Sequence, residues 1–107
     1  MDELQLRSRA STDVDAIVVH LITEASSTTA LGFVDALEAG LRHIASTPGS
    51  GSLKFGYELG IPELRAWRLR RQPFVVFHVP FDDRIDVWRV LHARRDIPAS
   101  FDANDRL

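Results

Sequence analysis

The stretch Pro73–Ala93, PFVVFHVPFDDRIDVWRVLHA, decides the fold of this 107-residue chain. Its first eight residues are β-branched, aromatic and nearly all apolar, the composition of a central strand buried on both faces. Phe81–Arg84 then supplies turn chemistry around Asp82-Asp83, which predicts a hairpin. Arg84–Ala93 alternates with a period of two. Strict alternation puts Asp86, Trp88, Val90, His92 and Arg94 on one face, and Ile85, Val87, Arg89 and Leu91 on the other. Immediately upstream, Glu63–Arg70 (ELRAWRLR) alternates too. Leu64, Ala66, Arg68 and Arg70 share a face opposite Arg65, Trp67, Leu69 and Arg71. Short turns between consecutive strands predict a three-stranded antiparallel meander.

Moving toward the N-terminus, the pattern changes period. Leu4–Ser8 alternates and reads as a first strand. Ser11, Thr12 or Asp13 can cap the helix that follows, because their side-chain oxygens accept orphan amide hydrogens. Val14, Ile17, Val18, Leu21, Ile22 and Ala25 recur at helical spacing and form one apolar stripe. Ser26–Thr29 breaks that helix and caps a second, whose stripe is Ala30, Phe33, Val34, Leu37, Leu41 and Ile44. So short a connection predicts an antiparallel helical hairpin. Pro48–Ser52 (PGSGS) is a loop, and Gly56, Gly60 and Pro62 make Leu53–Pro62 an irregular or edge segment. Residues 96–107 are expected to form a short helical turn and then fray. The order is strand, two-helix hairpin, then the meander: an α+β two-layer domain spanning residues 1–107.

Composition bounds the function. The chain has no cysteine, which excludes disulfides and thiolate metal sites. No leader peptide and no apolar run of the ~20 residues a membrane span needs is visible, so a cytoplasmic protein without membrane partners is expected. The net charge of −2 hides a strong asymmetry. Between Leu64 and Arg95 eight arginines face only Asp82, Asp83 and Asp86, a balance of +5. Of thirteen basic residues twelve are arginine, which suits flat, bidentate contacts to carboxylate or phosphate. These arginines either form a recognition surface or are the wet face of the sheet.

Most chemistries lack their residues. The four histidines, His20, His43, His78 and His92, show no His-x-x-x-His spacing, so no metal site or other cofactor is expected. His20 and His43 read as solvated, and His78 as a hydrogen-bonded core histidine. No phosphate-binding glycine loop and no Gly-x-Ser-x-Gly elbow occurs. What remains is His92 among arginines, a constellation that could cleave RNA by acid–base catalysis or could be a salt-bridged strand end closed by Asp96.

The residues Leu64, Arg65 and Trp67, the strand Pro73–His78, and the closing Val90, Leu91, His92, Arg95 and Asp96 resemble the ParE branch of the RelE/ParE toxin superfamily of type II toxin–antitoxin systems. The resemblance implies a helical hairpin packed on a twisted antiparallel sheet. It also implies a toxin that inhibits DNA gyrase by binding and is neutralised by a cognate antitoxin, as homodimer or toxin–antitoxin hetero-oligomer. The binding residues would be Arg65, Trp67, Arg68, Arg70, Trp88, Arg89, Arg94 and Arg95, with no catalytic residue. The RelE-like alternative is a ribosome-dependent messenger RNA endonuclease using His92, Arg65, Arg89 and Arg94. Two features of the nuclease relatives are missing: Val75 follows Phe74 where they often carry arginine, and the one tyrosine, Tyr57, lies far upstream. His78 stands where the family usually has tyrosine. A non-toxic family member acting only as a binding partner is the third reading.

Overall fold

The computed structural model describes residues 3–101, and the part of the predicted tail beyond Phe101 lies outside the described residues. The elements are β1 (Glu3–Leu6), α1 (Ser8–Glu24), α2 (Ser27–Ser46), α3 (Lys54–Leu59), β2 (Arg65–Arg68), β3 (Phe74–Pro80), β4 (Arg84–His92) and α4 (Ile97–Ser100). The meander is present as expected, and β1 adds to it in parallel alongside β4, giving the strand order β1-β4-β3-β2. β3 is central and buried along its length, as its apolar run requires.

The helical hairpin covers one face of the sheet. Phe33, Leu37 and Ile44 from α2 and Ala10 from α1 pack with Leu69, Phe74, Val76, Ile85, Val87 and Val90. α2 is capped where the sequence indicated: the Ser26 hydroxyl accepts the Thr29 amide at 3.1 Å. Gly40 lets α2 come close to β2, since a Cβ there would stand 2.7 Å from a Leu69 methyl. The opposite face has its own core of Leu59, Ile61, Leu64, Phe77, Trp88 and Leu91, closed by α3 and α4.

Four local expectations are corrected. First, α1 begins at Ser8, not after a cap at Ser11–Asp13, and its N-cap position, Arg7, makes no side-chain cap bond. The reason is continuity with β1: the Arg7 amide is still bonded to Val87 O at 2.9 Å, so the chain turns directly from strand into helix. Second, Leu53–Pro62 is not an irregular or edge segment but carries α3, ended by Gly60 in the left-handed region (φ 71°). Third, β2 stops at Arg68. Leu69–Gln72 forms a turn closed by Gln72 N to Leu69 O, with Arg71 at φ 61°. Fourth, the faces of β4 do not alternate strictly. Phe77 pairs with Arg89 but His78 pairs with Val87, so Trp88 is an extra residue, a β-bulge. Past the bulge the phase inverts: Val90 joins Ile85 and Val87 under the helices, while Trp88 and Leu91 face the other core.

Candidate binding surface at one end of the sheet

The strands have two ends, and charge is divided between them. At the β3–β4 hairpin stand Asp82, Asp83 and Asp86, the acids of the basic segment. Two of them are ion-paired. Arg84 bonds Asp86 at 3.0 Å and Asp83 at 3.4 Å, and Arg7 bonds Asp86 from the other side at 3.3 Å. The Arg7 guanidinium also lies 4.1 Å above the Trp88 ring. Trp88 is thereby only 6% exposed, and it is held within the core.

The other end is formed by the β2–β3 turn and the end of β4, which are joined: Phe74 pairs with His92, and the Ala93 amide bonds Pro73 O at 2.8 Å. Arg68, Arg70, Arg71, Arg94 and Arg95 are exposed there. The Arg68 guanidinium donates to Gln72 O at 3.0 Å, pinning the turn. Arg70, Arg71, Arg94 and Arg95 have no side-chain hydrogen bond or ion pair among the described residues. Trp67 flanks them, half-buried, with the His43 ring stacked on it at 4.4 Å. A cleft of about 620 Å³ runs between α2 and this turn, lined by Asp35, Gly40, His43, Trp67, Arg70 and Arg71.

Arg65 and Arg89 are elsewhere. Arg65 pairs with His78, four residues along β3 from Phe74, which is ~14 Å at strand rise. Its guanidinium donates to Gly49 O at 2.8 Å. His78 is fully buried, as expected of a core histidine, and its Nε2 lies 3.4 Å from Pro48 O. Burial holds its pKa below the ordinary histidine value, and Arg65 beside it adds to the shift. Together Arg65 and His78 fasten the loop after α2 to the sheet.

Arg89 is 3% exposed. Its Nε and Nη2 donate to the two oxygens of Asp13 at 2.8 and 2.9 Å, a bidentate pair, and Nη1 donates to Ser100 O. Asp13 also accepts the Val90 amide at 2.9 Å. The cause is the shortness of β1. It covers β4 only as far as Val87, so Val90 N would lack a strand partner, and the α1 carboxylate replaces one. Sequence reasoning missed this role of Asp13 because, next to Ser11 and Thr12 ahead of an apolar stripe, it reads as a helix cap.

His92 is half-exposed and its Nδ1 accepts the Arg94 amide at 3.0 Å. The neutral ring therefore carries its proton on Nε2, and its open nitrogen is a donor. Of His92, Arg65, Arg89 and Arg94, only His92 and Arg94 are brought together. Among the described residues no cluster of histidines and carboxylates could hold a metal, and no helix is long and apolar enough to cross a membrane.

The architecture is a helical hairpin laid on a four-stranded sheet, one end of which bears exposed arginines without ion pairs among the described residues. The family model for the ParE toxin of type II toxin–antitoxin systems, parDE, matches residues 4–97. The chain belongs to that family. A chain of the solved chromosomal ParDE TA system from P. aeruginosa has the same fold, with a TM-score of 0.70 at 22% identity. The match covers 86% of this chain and 96% of that one. Comparison with curated proteins gave no match.

Proposed function

We propose that this ParE-family toxin inhibits DNA gyrase by binding it, without chemistry of its own, and that a cognate antitoxin neutralises it. The observation that carries this reading is the dispersal of the residues RNA cleavage would need. Arg89 is consumed by Asp13, Arg65 lies ~14 Å along the sheet by strand rise, and the open nitrogen of neutral His92 has no lone pair to take a proton. What the fold offers instead is a surface of exposed Arg68, Arg70, Arg94 and Arg95 flanked by the half-buried Trp67. Such a surface recognises acidic or phosphate-bearing partners by charge. The ParDE system of the structural relative supports pairing with an antitoxin here, as a hetero-oligomer.

The test is a supercoiling assay with purified gyrase and purified toxin, run beside incorporation of labelled thymidine and labelled methionine after induction in bacterial cells. Inhibited supercoiling, with DNA synthesis falling first, is the expected result. Early collapse of methionine incorporation, abolished by His92→Ala, would overturn the reading in favour of a ribosome-dependent nuclease.

A further inference from the structure

We propose that the basic end of the sheet grips the phosphodiester backbone of duplex DNA, through Arg70 and Arg71 on the β2–β3 turn and Arg94 and Arg95 after β4. This goes beyond the gyrase reading and does not depend on it.

Three observations carry the proposal. The first is segregation. All three aspartates of the segment Leu64–Arg95 lie at or beside the β3–β4 hairpin, where Arg84 and Arg7 bind two of them, so the opposite end has no counter-charge from the sheet. The acids near that end do not pair either. Asp35 lines the cleft beside Arg70 and Arg71 without an ion pair, and Asp96 accepts the Ala99 amide as the cap of α4. The second is the turn itself. Arg71 holds a left-handed backbone (φ 61°), where glycine or asparagine would be relaxed, so a guanidinium is kept there against local strain.

The third observation separates phosphate from an acidic polypeptide. The exposed residues of the turn and of the β4 end are Arg68, Arg70, Arg71, Pro73, Arg94, Arg95 and the capping Asp96, and only the proline is apolar. A protein partner would find little apolar core here, since the neighbouring Trp67 is half-buried under the His43 ring, and would have to bind by charge alone. Nucleic-acid backbones are held by charge and by guanidinium forks alone.

The test is fluorescence anisotropy of the full chain titrated onto a labelled 30-base-pair duplex between 50 and 200 mM salt. Four phosphate contacts predict a slope of log K on log salt near −3.6, and so about a hundredfold loss of affinity across that range. The pair Arg70→Gln with Arg71→Gln should flatten the slope by about 1.8, as should Arg94→Gln with Arg95→Gln. All four together should abolish binding, and Arg84→Gln at the opposite end should leave it unchanged. The four arginines of the basic end are solvent-exposed and without ion pairs, so their variants should keep the wild-type circular dichroism melt, which is checked first; Arg84→Gln gives up its pair with Asp86 and is measured at a temperature where its own melt shows it folded. The proposal is overturned by no binding at 50 mM salt, by a slope the paired substitutions do not move, or by tighter binding of polyglutamate or single-stranded RNA than of the duplex.

Discussion

Removing the Asp13 carboxylate should cost this protein a large share of its stability while leaving the arginine surface intact. Asp13→Ala deprives three donors at once: Arg89 Nε, Arg89 Nη2 and the Val90 amide. The Arg89 side chain is 4% exposed, so solvent cannot replace the lost partner without opening the contact between α1 and β4. Breaking a buried pair from one side costs about 3–5 kcal/mol, and the orphaned Val90 amide belongs to that sum. A domain of this size has ~5–15 kcal/mol in total, so the melting temperature should fall by about 15–25 °C. Urea unfolding followed by the fluorescence of Trp67 and Trp88 measures it. Asp13→Asn keeps an acceptor and should lose roughly half as much. The double variant Asp13→Leu with Arg89→Met replaces the pair by apolar groups and should recover to within about 1–2 kcal/mol of wild type. It should also leave the proposed gyrase inhibition unchanged, because Arg89 is a tie between α1, β4 and α4 and not part of the exposed surface. A loss below about 1 kcal/mol for Asp13→Ala would refute the reasoning, as would a double variant as unstable as the single.

Three further outcomes follow from the same structure. The depressed pKa of His78 means that the unfolded chain takes up a proton that the native state refuses, so its stabilising contribution is complete above the unfolded histidine value, near 6.5, and falls as pH drops below it. The drop in unfolding free energy between pH 7 and pH 5 should shrink in His78→Phe relative to wild type; an unchanged drop would show that His78 titrates normally. Gly56→Ala should destabilise by about 2 kcal/mol or more, since its Cβ would lie 2.5 Å from Ile61 O and 2.7 Å from Leu64 O, both backbone atoms that cannot swing away; an unaltered thermal melt would contradict this. Arg71→Gly should raise stability by up to about 1 kcal/mol by relieving the left-handed backbone, less the entropy that glycine adds to the unfolded chain; a clear loss of stability would mean that the side chain makes a contact of its own.

How much of this was legible in the sequence depends on whether a pattern is repeated or single. The helical hairpin and the meander rest on many residues each, and a stripe such as Phe33, Leu37 and Ile44 has one sensible place to go, under Val76 and Val87. The bulge at Trp88 rests on one residue, and one inserted residue inverts every later position of β4. Strict alternation therefore put Trp88 and Val90 together, although they lie in different cores. The helix α3 was hidden by its two glycines. Gly60 is a left-handed cap, and Gly56 is small because the chain doubles back onto it, and neither role is visible until the backbone path is known.

The arginines show the same limit more sharply, because sequence assigns charge but not its partner. Eight arginines between Leu64 and Arg95 look alike on paper. In space they divide by whether an acid far away in the chain reaches them. Asp13 reaches Arg89 across 76 positions and buries it in a bidentate pair. Asp86, two residues from Arg84, neutralises it in place. Arg65 is spent on Gly49 O and Arg68 on Gln72 O, which leaves Arg70, Arg71, Arg94 and Arg95 to face outward with their charge unspent. The proposed contact surface is thus a remainder. It consists of the cations that folding did not need, gathered at one end of the sheet because the β2–β3 turn and the β4 terminus meet there.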